Sequence, residues 1–234
     1  MKSFSFLLLT ILLMGGVMTV MAADSLSSYV DSHLVWLGQS GFRLTSNSGQ
    51  VLYFDPYKVA DGLPKADLVL VSHAHQDHFD ESSLAKLQKQ GTTIVTPETM
   101  VKPGFTGITA GKTLQVGEFT VTAVRAYNME KKFHPKSNNW VGYVVAVDGI
   151  KIYHAGDTDF IPEMQDLQPD IALLPVGGTY TMDVAEAAKA AAAIKAKLYI
   201  PMHYGSVVGS PQEGAKFVGL VKAGVVKVLP VQSL

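Results

Sequence analysis

The chain has 234 residues, 47% of them hydrophobic, and 19 Lys and Arg against 20 Asp and Glu give it a net charge of −1. That length and apolar content suit one domain with a sizeable core, and a charge so near zero gives no field to draw in nucleic acid. There is no cysteine, which excludes a disulfide scaffold and thiolate ligands, so any metal site has to be built from nitrogen and oxygen.

Met1-Lys2 precedes an apolar run from Phe4 to Val20, followed by Val20-Met21-Ala22. A basic start, an apolar middle and a small residue at the cut are the order of a secretory signal, and the run is short for a membrane anchor. The expectation is a signal over 1–22, a single domain over 23–234, no stable membrane span after cleavage, and a periplasmic or secreted location.

Short strands are expected first, over His33–Leu37, Phe42–Ser46 and Val51–Phe54, with the turn clusters Gly38–Gly41 and Asn47–Gly49 making them an antiparallel meander. The apolar run Leu68–Val71 reads as a buried strand. A helix is predicted over Ser82–Gln90, with Leu84 and Leu87 three apart and Gly91 closing it. Strands follow over Thr92–Thr96, Phe119–Tyr127, Val141–Val147 and Lys151–His154. Beyond them, helices at Ile161–Leu167, Asp183–Ile194 and Gln212–Lys222 alternate with strands at Ile171–Leu174, Leu198–Ile200 and Val225–Leu229. Meanders followed by alternation suggest two sheets with helices outside.

The chemistry is concentrated in His73-Ala74-His75-Gln76-Asp77-His78, directly after the buried strand. The whole chain has seven histidines, so gathering three of them in one turn is unlike an incidental polar loop. Imidazole and carboxylate together suit zinc and similar divalent ions, and one small turn cannot wrap four side chains round one tetrahedral ion. The natural arrangement is two adjacent ions, with His73 and His75 on one and Asp77 and His78 on the other.

The motif His-x-His-x-Asp-His resembles the metal signature of the metallo-β-lactamase superfamily. Val51-Leu52-Tyr53-Phe54-Asp55-Pro56 resembles its early strand ending in aspartate, Tyr153-His154-Ala155-Gly156-Asp157-Thr158 its Gly-Asp-Thr motif, and Ile200-Pro201-Met202-His203-Tyr204-Gly205 the strand with its last histidine. With Leu174-Pro175-Val176-Gly177-Gly178, these place the chain near small metal-dependent hydrolases similar to L-ascorbate-6-phosphate lactonases, and further from N-acyl phosphatidylethanolamine phospholipase D. The resemblance implies an α+β fold, a four-layer αββα sandwich with metal-bearing loops at one edge. It implies Asp157 as a carboxylate bridging two ions, His203 as a ligand, and Asp55 as the acceptor of a ligand histidine's second N–H. By alternation His154 falls on the opposite face of its strand from Asp157, and it is expected as a satisfied core histidine or as a support for the ligands. At one point the chain departs from the pattern. Asn128 stands where most members place a third histidine for the first ion, and His134 follows six residues later. Asn128 could ligate through its amide oxygen, His134 could reach in from the loop, or the first site could be incomplete.

The expected function is a metal-dependent hydrolase with two divalent ions, zinc foremost and manganese or iron as alternatives, whose bridging hydroxide attacks a small ester, lactone or phosphoester. Asp77 is the expected catalytic carboxylate. Asn128, Lys136, Tyr180 and Tyr204 lie on loops near the motifs and are candidate substrate contacts. The chain lacks the extra helical domain of glyoxalase II enzymes and the inserted domain of RNA-processing relatives, which favours a small-molecule substrate. The competing class is a non-catalytic metal- or ligand-binding protein on the same scaffold, with Asn128 as its support.

Overall fold

The computed structural model describes residues 23–232, so the expected signal over 1–22 lies outside the described residues. Two sheets are stacked face to face. The first runs β1 (Leu34–Gly38), β2 (Gly41–Thr45), β3 (Val51–Phe54), β4 (Leu68–Leu70), β5 (Thr93–Pro97) and β6 (Phe105–Ile108), neighbours in that order. The second runs β7 (Thr113–Val116), β8 (Phe119–Arg125), β9 (Val141–Val147), β10 (Ile150–His154), β11 (Ile171–Pro175), β12 (Leu198–Met202) and β13 (Val225–Val226), also in chain order. Both sheets are mixed. β1 to β3 pair antiparallel and β3 to β6 parallel, while β7 to β10 pair antiparallel and β10 to β13 parallel.

Period-two alternation explains why the first sheet is apolar on both faces. In β3 and β4, Leu52, Phe54, Leu68 and Leu70 face the core between the sheets. Val51, Tyr53, Val69 and Val71 face a second core, completed by Leu84 and Leu87 of helix α2 (Glu81–Leu87). The side chain of Asp80 caps α2 by accepting from Ser82 N, satisfying one of the free N–H groups of its first turn. On the far side, α3 (Val184–Ala193), capped by Asp183, and α4 (Glu213–Leu220) lie against β11 and β12. Alanines 187, 190 and 191 let α3 approach closely, and all three are buried. The result is the expected helix–sheet–sheet–helix layering.

A helix over residues 23–33, α1, was not expected from the sequence. It packs Leu26 and Val30 into the central core, and Lys227 holds it through Ser27 and Asp31. Strands β6 and β7 were also not foreseen. Their burial is partial and they lie at sheet edges, so they lack the apolar runs that mark central strands. The expected helix at Ile161–Leu167 is a 3₁₀ segment over Pro162–Asp166. Among the described residues, no helix is long and apolar enough to cross a membrane.

Candidate metal centre

Strands β3, β4, β8, β10 and β12 all end at the same edge of the sandwich, and the residues that follow them meet there. Asp55 follows β3, the turn His73–His78 follows β4, Asn128 and His134 follow β8, Asp157 follows β10, and His203 follows β12. The two sheets are tied at this edge. Val141 N donates to Ser72 O, and the Tyr143 hydroxyl donates to Val71 O at 2.7 Å. Gly156, at φ +62°, brings the chain so close to Ser72 that an added Cβ would lie 3.0 Å from the serine Cβ. Gly142 is equally constrained, since a Cβ there would lie 2.7 Å from the carbonyl oxygens of His154 and Ala155.

Two groups of side chains converge, each with donor atoms within 4.8 Å of one another: His73 with His75 and His134, and Asp77 with His78 and His203. Asp157 stands between them. Its Oδ2 lies 3.2 Å from His134 Nε2, 3.9 Å from His73 Nε2 and 3.1 Å from His203 Nε2, and its Oδ1 lies 3.2 Å from His78 Nε2. A tetrahedral zinc with ligands about 2.0–2.1 Å away holds neighbouring donor atoms roughly 3.3 Å apart, close to most of these separations.

For His73, His78 and His134 the hydrogen bonds say which nitrogen the imidazole presents. Asp55 Oδ2 accepts from His78 Nδ1 at 2.8 Å and from the Ser72 hydroxyl at 2.6 Å, and Ser72 Oγ in turn lies 2.9 Å from His73 Nδ1. One carboxylate therefore orients two histidines, with the proton on Nδ1 and the Nε2 lone pair free. Asn128 Oδ1 does the same for His134, accepting from its Nδ1 at 2.9 Å. The Nε2 atoms of His73, His78, His134 and His203 and Asp157 Oδ1 are all buried without a hydrogen-bond partner. Unpaired buried polar atoms are costly, and five facing one another make a donor set that fits divalent cations. Asp55, His73 and His78 also form a close triplet, but Asp55 is already engaged by hydrogen bonds, so it supports rather than adds a site.

The electrostatics agree with cation binding. Burial disfavours the charged Asp157 carboxylate, yet the imidazoles of His203 and His78 hold it well below the usual carboxylate range. Asp77 behaves in the same way: burial opposes its charge and the His203 and His78 imidazoles outweigh it. For His73 burial dominates, and with His78 beside it the ring is pushed well below the usual histidine value, leaving a neutral ligand. His78 and His203 are raised despite burial, because Asp157 and other carboxylates face them.

A family model described as "Beta-lactamase superfamily domain" matches residues 33–203. The chain belongs to the metallo-β-lactamase superfamily. Among its relatives, a UPF0173 metal-dependent hydrolase of Nitratidesulfovibrio vulgaris is 33% identical over 211 residues, covering 80% of this chain and 86% of the relative. One of Pyrococcus furiosus is 34% identical over 226 residues, covering 86% and 98%. Igni18, a metallo hydrolase from Ignicoccus hospitalis, has a solved structure that superposes with a TM-score of 0.69 at 26% identity, covering 86% of this chain and 95% of that one.

Of the residues expected to carry function, His73, His75, Asp77, His78, Asp157 and His203 come together with His134, the loop histidine outside the family pattern, and Asp55 hydrogen-bonds to the group. His154 does not touch the cluster by hydrogen bond. Its Nε2 meets Ser40 O at 2.8 Å, its Nδ1 accepts from Gly156 N, and Phe54 stacks on its ring, so it is a core residue. Three expected substrate contacts are also placed elsewhere. Asn128 is buried, with its amide NH₂ spent on Asp159 and Tyr180 O. Lys136 is tied to the Tyr127 hydroxyl and Glu163. Tyr204 is packed 5.1 Å from Trp36 in the interior. Tyr180 does line the cavity over the cluster.

Sequence reasoning missed Gln39, which is 2% exposed and donates from Nε2 to Asp77 Oδ2 at 2.8 Å. It lay in a turn cluster far from any motif. Asp159 was also missed, although Asp157-Thr158-Asp159 puts it next to a motif; it anchors Asn128, Met129 N and Lys131. Gln39, Asp55 and His203 all have positive φ (48°, 38° and 59°), so three non-glycine residues at this centre sit in left-handed backbone, as strained functional sites often do.

Proposed function

We propose that the chain is an exported metal-dependent hydrolase that holds two divalent ions and cleaves a small ester, lactone or phosphoester. The description of its relatives as metal-dependent hydrolases supports the general activity. The observation that carries the binuclear reading is the set of orphaned Nε2 atoms turned on Asp157. His73, His75 and His134 would hold one ion, Asp77, His78 and His203 the other, and Asp157 would bridge them. Nitrogen and carboxylate donors suit zinc, with manganese or iron as alternatives. Export rests on the order of residues 1–22 alone.

Such ions, when bound, acidify water and polarise a carbonyl or phosphoryl oxygen. The remaining work falls to side chains. Asp77 is the acidic residue of the cluster that is partly open, its side chain 19% exposed against 3% for Asp157, so it can accept the proton of the attacking water. Gln39 fixes one Asp77 oxygen and leaves the other for that task. Asp55 and Asn128 keep the imidazoles aimed.

Purified chain should carry close to two equivalents of metal. In a screen of esters, lactones and phosphodiesters, turnover should vanish with chelator and return with added ion. A single equivalent that added metal does not change would sink the binuclear reading, and a fully loaded protein inert to every class would sink the hydrolase. The non-catalytic alternative drew its support from Asn128 in place of a ligand; with His134 Nε2 facing Asp157, that support falls away.

A further inference from the structure

A cavity of about 300 Å³ opens over the cluster, lined by its His75, Asp77, His134 and Asp157 and by Phe133, Tyr180 and Val207. Phe133 is 45% and Val207 48% exposed, and the rings of Phe133 and Tyr180 meet edge to face at 4.6 Å. Isolated exposed apolar residues need no explanation, but three gathered at the mouth of a polar centre form a recognition surface. Among the described residues, no lysine or arginine lines this cavity. On the same loop Lys131 is engaged by Asp159 and Glu186 and Lys136 by Tyr127 and Glu163, while Lys132, beside Phe133, is exposed and does not line the cavity.

The walls are held in place. Phe133 precedes His134, whose backbone N–H and carbonyl are both bound by Asn128. Tyr180 follows Gly177-Gly178-Thr179, where a Cβ on Gly177 would lie 2.1 Å from His203 O and 2.8 Å from Val208 Cγ1. The turn before Tyr180 is thus pressed against the loop carrying Val207, leaving room only for glycine at 177.

Resting on the hydrolase reading, we infer that the substrate is a neutral carbonyl compound, an ester or lactone, whose apolar substituent lies on Phe133, Tyr180 and Val207. A phosphoester would bring an anion into a cavity whose lining holds no lysine or arginine to pair its outer oxygens, whereas a phenyl or alkyl group is dehydrated on its apolar residues at a gain. In the reaction, the oxygen of water bonds to the carbonyl carbon and the acyl C–O bond breaks. The proton taken up by Asp77 passes to the leaving alkoxide, giving an acid and an alcohol.

The test uses the full metal-loaded protein and probes sharing one leaving group: p-nitrophenyl acetate, hexanoate and phenylacetate, with bis(p-nitrophenyl) phosphate as the anion. The kcat/KM should rise at least about tenfold from acetate to hexanoate, since each methylene placed on an apolar wall adds up to about 0.8 kcal/mol and 1.4 kcal/mol is tenfold. Phe133→Ala and Val207→Ala should each flatten that rise, chiefly through KM. Val225→Ala, which removes an exposed valine on β13, should not. A flat series, or a preference for the phosphodiester, would overturn the inference and leave the hydrolase standing. Should nothing be hydrolysed, the hydrolase reading fails and calorimetry decides the cavity. Tighter binding of phenylacetamide than of phenyl phosphate, weakened by Phe133→Ala, supports it; phosphate binding alone overturns it.

Discussion

Asn128 grips His134 at both its backbone and its ring. The asparagine Oδ1 accepts from His134 N at 3.0 Å and from His134 Nδ1 at 2.9 Å, while Asn128 N donates to His134 O at 2.7 Å. The five residues between them are closed into a loop whose outcome is one imidazole aimed at Asp157. Asn128, which stands where a ligand was expected, thus orients the imidazole proposed to take that ligand's place.

This arrangement sets an order of effects on metal affinity. His134→Ala removes a donor and should weaken one of the two sites by roughly a hundredfold or more. Asn128→Ala leaves the donor but frees its ring, and losing such an orienting partner typically costs about 10–100-fold. Equilibrium dialysis against zinc checks the ranking. Equal, negligible losses in both variants would show the loop to be a bystander.

Asp77→Asn keeps the size of the side chain and an oxygen for Gln39 while removing the base. Turnover should fall at least about a hundredfold, the scale of losing a positioned proton acceptor, with the unfolding temperature nearly unchanged. Metal content must be measured in parallel. Near wild-type turnover at full loading would leave the mechanism without its base.

Gln39 acts through Asp77. Gln39→Leu retains the bulk and deletes the donor at 2.8 Å, so Asp77 loses its orientation without losing its charge. The kcat should drop by about tenfold, a loss on the order of one charge-assisted hydrogen bond, with KM little changed and both ions retained. Loss of metal instead would mean that Gln39 organises the site itself.

Stability should respond to pH with opposite signs in the two metal states. In metal-free protein, His78 and His203 are raised above the ordinary histidine value of 6.5. Their stabilisation is present below that value and lost as pH rises through the folded value. His73 and His75 are lowered, so their cost falls on the acid side of 6.5 and is constant above it. The metal-free chain should therefore lose stability as pH rises above about 6.5. With zinc bound the trend should reverse, because neutral imidazoles are better ligands. Thermal unfolding at several pH values, with and without chelator, reads both signs.

Much of this was legible in the chain because the central strands of the first sheet are unbroken apolar runs and the cluster residues follow strands directly: Leu68–Val71 announces His73, and Tyr153-His154-Ala155 announces Asp157. Residues that act on others rather than on an ion left no such trace. Gln39 reaches Asp77 across 38 positions, a contact created by the stacking of strand ends and invisible to spacing. Tyr204, expected as a candidate substrate contact, and His154, whose core placement was one of two expected, show the other side. They sit in motif segments, but each points into the interior, where Phe54 and Trp36 receive them.

Trp140 has a role no motif suggested. Its ring lies 5.0 Å from both His73 and His75 and 5.7 Å from His134, touching every imidazole of one group. The chain has only one other tryptophan, Trp36, which is buried between Phe42 and Tyr204. The molecule thus carries an optical gauge at its centre. Emission from Trp140 should therefore respond to ions or protons taken up by the three histidines, and Trp36, whose Nε1 donates to Gln39 O at 3.0 Å, stands one residue away from the Asp77 side of the cluster.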